Sequence, residues 1–294
     1  MRRALLLAAL LALATVRAGA TVVLRDDGGH THRLAAPPQR IVSLLPSLTE
    51  SVCALGACDR LVGVDRYANW PEAVNRLPRL GGLEDAQVER IVALRPDVVL
   101  AARSARVVDR LRGLGLAVVV LDSETHADVR RTLQGLAQLL GRPEAGDRLW
   151  AAIEADLHAA AARVPAGWRG RRVYFEVASD PYAAGAASFI GQTLDRLGLG
   201  NVVPAAQGPF PKLNPEAVVR ARPDVVMASA RALRDMPGRP GWDGLAALQP
   251  VAGRPGRACG FEPAVYELVI RPGPRMGEAA HAIAACLAGL PPAP

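Results

Sequence analysis

The chain holds only twelve aromatic residues in 294, and four of them stand where a flat ligand could be stacked. Tyr67 and Trp70 follow a strand candidate in Leu61-Val-Gly-Val-Asp-Arg-Tyr-Ala-Asn-Trp-Pro71. Tyr182 lies in Ser179-Asp-Pro-Tyr-Ala-Ala-Gly185, and Phe210 in Gly208-Pro-Phe-Pro211. Aromatic faces in loops after strands, drawn from both halves of a chain, suit a planar macrocycle held between them. Trp150 and Trp242 read as core. Other chemistry is missing. There is no G-x-S-x-G elbow, no H-E-x-x-H and no phosphate loop. His30, His32, His126, His158 and His281 have no ligand spacing, and no nucleophile, base and orienting group assemble. The expectation is a binding protein: no catalytic residue, no metal site, no resident cofactor.

These residues need elements to position them, and a repeat supplies the plan. Glu89-Arg-Ile-Val-Ala-Leu-Arg-Pro-Asp-Val-Val-Leu-Ala101 recurs 127 residues later as Glu216-Ala-Val-Val-Arg-Ala-Arg-Pro-Asp-Val-Val-Met-Ala228. Each copy reads as a helix stopped before Arg-Pro, since the residue before proline avoids the α region, followed by a buried β-branched strand. Around the first copy, strands at Ile41–Leu44, Leu61–Val64, Val98–Ala101 and Ala117–Leu121 alternate with helices at Ser47–Leu55 and Ala105–Leu114. Ser47 and Glu50 have the spacing of a capping box. The second half repeats the alternation with Arg172–Val177, Phe189–Leu197 and Val225–Ala228. Such alternation makes parallel sheets with covered faces. Gly113-Leu114-Gly115 and Gly198-Leu199-Gly200, after helices and before strands, read as helix-stop glycines and not as phosphate loops. The segment 143–164, free of internal proline and containing Gly146, reads as a helix joining the halves. The expected fold is α/β: two lobes, each with a small mostly parallel sheet flanked by helices, joined by one long rigid helix. Its bounds are an N-terminal lobe at 36–142, the connecting helix at 143–164 and a C-terminal lobe at 171–290.

Residues 1–20 read as a signal peptide: a positive start, an apolar run from Ala4 to Val16, and Ala18-Gly19-Ala20 for cleavage. No cysteine adjoins that site, so the expectation is an exported protein without a lipid anchor. The leader takes three of the 35 basic residues, leaving 32 against 28 acidic ones, a net charge of +4 rather than +7. The basic residues are scattered arginines apart from Lys212, with no basic stripe of the kind nucleic acids require. Cys53, Cys58, Cys259 and Cys286 admit three disulfide connectivities in an oxidising compartment. A local Cys53–Cys58 bridge at the Gly56 corner is the preferred candidate.

Arg40-Ile-Val-Ser-Leu-Leu-Pro-Ser-Leu-Thr-Glu50, then Leu61 to Pro71, then Glu89 to Asp97, resembles the helical-backbone class of periplasmic substrate-binding proteins. These serve ABC importers of cobalamin, haem and ferric siderophores, and the cobalamin branch is the nearest match. The resemblance spans about residues 36 to 288. It implies a periplasmic monomer that holds a small-molecule ligand between its lobes, moves little at the hinge, and docks on membrane permease subunits of an ABC importer. It also implies that Glu89 and Glu216, one per lobe, meet arginines of those subunits; two separated carboxylates give a two-point register. Tyr67, Trp70, Tyr182 and Phe210 become the ligand-binding candidates, with cobalamin the expected cargo. Leu83 and Ala102 stand where that branch tends to carry further tryptophans. Haem is the alternative, with Tyr67 as a phenolate ligand. A ferric siderophore would call on arginines such as Arg66, Arg103 and Arg271. Arg271-Pro-Gly-Pro-Arg275 resembles a family corner motif.

Overall fold

The computed structural model describes residues 21–178, 180–242, 244–250, 256–291 and 293. The expected signal peptide, residues 1–20, lies outside the described residues. The chain forms two α/β halves. In the first, four strands pair in parallel in the order Leu61–Val64, Ile41–Ser43, Val98–Ala101, Val118–Val120. Their continuous β-branched runs place side chains on two buried faces. Ile41, Val98 and Leu100 pack on one side; Val42, Val99 and Ala101 pack on the other. A short antiparallel hairpin, Val22–Arg25 with Thr31–Leu34, precedes this sheet. Its buried Asp26 accepts from the Val120 N–H at 3.1 Å and pairs with His32 at 2.9 Å, which fastens the hairpin to the sheet edge.

The second half has a five-stranded sheet. Ala258–Phe261, Val225–Ser229 and Arg172–Ala178 are parallel neighbours. The far edge of Arg172–Ala178 takes Gly200–Asn201 in parallel and Tyr182–Ala183 antiparallel. The 127-residue repeat is visible in detail. Helices Val88–Ala93 and Pro215–Ala221 both end at a left-handed arginine before proline, Arg95 at φ 46° and Arg222 at φ 47°. The aspartate that follows clamps the next strand. Asp97 accepts from the Arg40 N–H at 2.8 Å and donates its own N–H to the Arg40 carbonyl. Asp224 does the same with Arg172, at 2.8 Å. Gly115 and Gly198 take the left-handed conformation of helix stops, at φ 82° and 76°.

The joining helix runs Pro143–Arg163, 21 residues or about 32 Å. Gly146, Trp150, Ile153, Leu157 and Ala160 make its buried stripe, a spacing of alternating four and three that faces two neighbours. It packs on His126–Leu139 from the first half and on Met276–Gly289 from the second. Ala145 and Leu149 touch the N-terminal core, while Leu157 and Ala160 lie in the C-terminal one. Gly146 permits the closest approach, because a Cβ there would stand 2.8 Å from Gln134 Cα.

One local expectation is corrected. The helix after the first strand runs Pro46–Ala54, with Leu45 at the N-cap and no side-chain cap bond. Proline takes the first helical position, where a missing N–H is harmless, so Ser47 falls inside the first turn. Glu50 is free for another task. The capping box forms elsewhere, between Thr125 and Asp128.

Candidate functional site

The carboxyl ends of both sheets face a cleft of about 500 Å³ between the halves, where open parallel sheets place their ligands. Leu45, Pro46, Leu48, Tyr67, Ala102 and Leu121 line it from the first half. Phe189, Phe210, Ile270 and Pro272 line it from the second. Its walls are therefore apolar, with Asp122, Glu124, Glu267 and Arg271 as the charged groups. An acidic trough of about 690 Å³ continues from it through Ser104, Asp122 and Glu124. There Asp27 and Asp128 hold Arg131, and Arg103 pairs with Asp122 at 3.2 Å.

Two of the four expected aromatics reach the cleft, one from each half. Tyr67 is 63% exposed, its ring open to a ligand. Phe210 is half-buried and packs on Phe189, centroids 6.1 Å apart. Trp70 and Tyr182 stand outside the cleft lining. Trp70 is drawn to the joint between the halves, where the Arg275 guanidinium lies 4.4 Å from its ring centroid. Tyr182 belongs to an edge strand and has the Lys212 ammonium 5.9 Å from its ring. Sequence reasoning missed Phe189, which opens a helix directly after its Ser188 cap. A helix start at the carboxyl edge of a sheet was the available signal.

The cleft floor is a buried ionic joint. Arg271, from the second half, donates to Glu50 Oε1 at 2.8 Å and Asn69 Oδ1 at 2.8 Å, both in the first half. Its other terminal nitrogen donates to the Tyr67 carbonyl at 3.0 Å and Glu267 Oε2 at 2.8 Å. Burial pushes the Glu50 carboxyl above its ordinary range, and the Arg271 bond and charge pull against that. Beside it, Asp65 is pushed up to about 6, chiefly by burial. Of the arginines considered for an anionic ligand, Arg271 is committed here, Arg66 pairs with Asp85, and Arg103 with Asp122. A second joint brings His126 Nε2 within 2.9 Å of Thr193 Oγ1 and 3.1 Å of the Phe189 carbonyl. Burial lowers the His126 pKa.

Glu89 and Glu216 are exposed second residues of matching helices. Arg110 sits 2.9 Å from Glu89; Glu216 donates its N–H to the Asn214 side chain. The sulfurs of Cys53 and Cys58 lie 2.09 Å apart, across Gly56 at φ 77°, and those of Cys259 and Cys286 lie 2.11 Å apart. Both separations are those of bonded pairs. Among the described residues no helix is long and apolar enough to cross a membrane.

A family model described as periplasmic binding protein matches residues 41–254. The chain is 27% identical over 277 residues to the uncharacterized ABC transporter substrate-binding lipoprotein YvrC of Bacillus subtilis, covering 90% of this chain and 84% of that protein. It is 27% identical over 200 residues to the vitamin B12-binding protein of Pectobacterium atrosepticum, covering 65% and 72%. The periplasmic heme-binding protein RhuT from Roseiflexus sp. RS-1, in apo form, is similar in structure with a TM-score of 0.66 at 28% identity, over 85% of this chain and 97% of that one.

Proposed function

The chain belongs to the periplasmic binding protein family, and on that premise we propose that it captures a corrinoid, cobalamin or a close relative, between its halves and delivers it to an ABC importer. It is a carrier and not an enzyme. One observation carries the choice of ligand: the cleft is apolar on its walls and acidic on its rim. Haem presents two carboxylates, which call for uncommitted arginines, and Arg271 already has four partners. A corrin ring presents primary amides, whose N–H groups suit acceptors such as Asp122 and Glu124. Tyr67 and Phe210 would grip the ring from opposite halves by stacking. The likeness to a vitamin B12-binding protein supports the same reading.

Delivery needs a handle, and Glu89 and Glu216 serve as one in this reading: matched carboxylates, one per half, for basic groups on the permease subunits. Glu89 would exchange Arg110 for its new partner. The site of action is the periplasm, where residues 1–20 have been removed and both cysteine pairs are oxidised.

A second reading has one observation in its favour. Tyr67 offers an exposed phenol on the cleft, the group a haem iron could take as an axial ligand. Calorimetric titration with cyanocobalamin, with hemin in parallel, separates the two. The corrinoid reading expects saturable one-to-one binding of cyanocobalamin, weakened by roughly 1–3 kcal/mol in Tyr67→Ala and Phe210→Ala. Hemin binding with a Soret shift that Tyr67→Phe removes would give the site to haem. Silence with cyanocobalamin would end the corrinoid reading.

A further inference from the structure

Beside the cleft, and sharing Leu45, Pro46 and Tyr67 with it, lies a side pocket of about 580 Å³. Asp65 lines this pocket directly after the strand Leu61–Val64, again at the carboxyl end of a parallel sheet. Its side chain is only half used. Oδ1 accepts the Tyr67 N–H at 2.7 Å. Oδ2 is buried and has no hydrogen-bond partner among the described residues, in a residue that is 1% exposed.

Among the described residues the nearby donors are engaged elsewhere, and the Ala68 N–H, close enough to pull on the carboxyl, makes no bond to Oδ2. Arg79 donates to the main-chain carbonyls of Asp65 and Ala68, not to the carboxylate. Arg271 is taken by its four partners, and Arg66 by Asp85. Glu84 and Asp85 stand at the rim, paired with Arg106 and Arg66. Buried acceptors without donors are rare in folded proteins, and each calls for an explanation. Here the explanation is a missing donor from outside.

We propose that this side pocket receives an N–H-bearing arm, a primary amide or an ammonium, of the ligand whose flat body occupies the cleft, and that Asp65 Oδ2 is its acceptor. The proposal rests on the reading of the cleft as the site of a flat macrocycle and adds the feature that selects its periphery. A carboxylate arm would meet Asp65 and be repelled, since the rim arginines Arg66 and Arg106 are already held by Asp85 and Glu84. An N–H arm turns the orphan oxygen into a charge-assisted bond, against which Tyr67 and Arg66 position the rest of the arm. Burial pushes the Asp65 carboxyl up, while the N–H groups of Tyr67 and Ala68 and the charges of Arg271 and Arg79 pull it down. An incoming N–H adds to that downward pull and favours the ionised acceptor.

The test uses two probes with the same ring: dicyanocobinamide, whose arms are amides, and dicyanocobyrinic acid heptamethyl ester, whose arms have no N–H. Calorimetric titration of the wild-type protein is expected to give an affinity about tenfold or more in favour of the amide probe. Asp65→Asn keeps an acceptor for the Tyr67 N–H but can set an NH₂ in place of Oδ2, donor against donor. The preference should then collapse to within about twofold, as it should in Asp65→Ala. Phe210→Ala should weaken both probes and leave their ratio intact. A ratio that survives both Asp65 variants, each confirmed folded by near-ultraviolet circular dichroism, overturns the proposal. So does a wild-type protein that binds both probes equally, and in that case the cleft reading stands. If the wild-type protein binds neither, the cleft reading fails and the side pocket falls with it.

Discussion

Replacing Arg271 by Met tests the joint under the cleft. The side chain is 10% exposed and that of its partner Glu50 2%, so water screens neither charge. Taking away the guanidinium breaks four bonds and leaves Glu50 as an uncompensated buried carboxylate, a change that typically costs about 3–5 kcal/mol. The loss has a pH signature. Burial already holds the Glu50 carboxyl above its ordinary range, and the Arg271 bond is the strongest influence holding it down. Without that bond its folded-state pKa rises further above the unfolded value. A group raised in this direction stabilises the fold below its unfolded pKa and loses that contribution as pH rises through the folded one. The deficit of Arg271→Met is therefore largest near pH 8 and shrinks toward pH 4, where Glu50 is mostly protonated in both states. Adding Glu50→Gln to Arg271→Met should recover about 2–3 kcal/mol near pH 8, a coupling within the range measured for residues in contact. Urea denaturation followed by circular dichroism reads all four corners of the cycle. Arg148→Met is the control: it removes a pair exposed at 70% and 87% and should leave the midpoint in place. A cost under about 1 kcal/mol for Arg271→Met, or strictly additive effects of the two changes, would refute the argument that this pair is a buried joint.

Two further outcomes follow from groups already described. Asp65→Asn should stabilise the unliganded protein at pH 8 and not at pH 4. The folded-state pKa of about 6 sits about two units above the unfolded value, so wild-type stability falls by up to about 3 kcal/mol as pH rises through that interval; parallel pH curves for the two proteins would contradict it. Changing Glu89 and Glu216 together to Ala should abolish importer-dependent uptake of cyanocobalamin while leaving its dissociation constant within about twofold; uptake that survives would remove these glutamates from the docking reading.

The sheets and the repeat were legible because their signals are local. A run such as Val98-Val99-Leu100 is buried on both faces, and Arg-Pro forces a stop whatever lies beyond it. The repeat could pair Asp97 with Asp224, but not show that each clamps the start of a neighbouring strand 57 or 52 residues earlier. The capping box expected at Ser47 and Glu50 failed for the same reason. Its pattern was satisfied locally, but Pro46 moved the helix start, and an arginine 221 residues away claimed the glutamate. Among the aromatics, Tyr67 and Phe210 line the cleft. Trp70 and Tyr182 share their sequence context, and what separates them is tertiary: an arginine over one ring, an edge strand under the other. The side pocket had no sequence signal at all. An aspartate after a strand is common, and only burial without a partner marks this one.

The joining helix carries a consequence for traffic at the membrane. A helix packed along both halves can bend only by straining its own hydrogen-bond ladder, and here the Arg271 and His126 joints brace it further. On the docking reading proposed above, the loaded and empty protein would therefore hold Glu89 and Glu216 at nearly one spacing. An importer that docks on this pair reads a ruler of fixed length, one that does not report cargo. Empty copies would then queue for the same berth as full ones. At a fixed supply of ligand, raising the amount of receptor should first speed uptake and then slow it, as unloaded copies crowd out loaded ones.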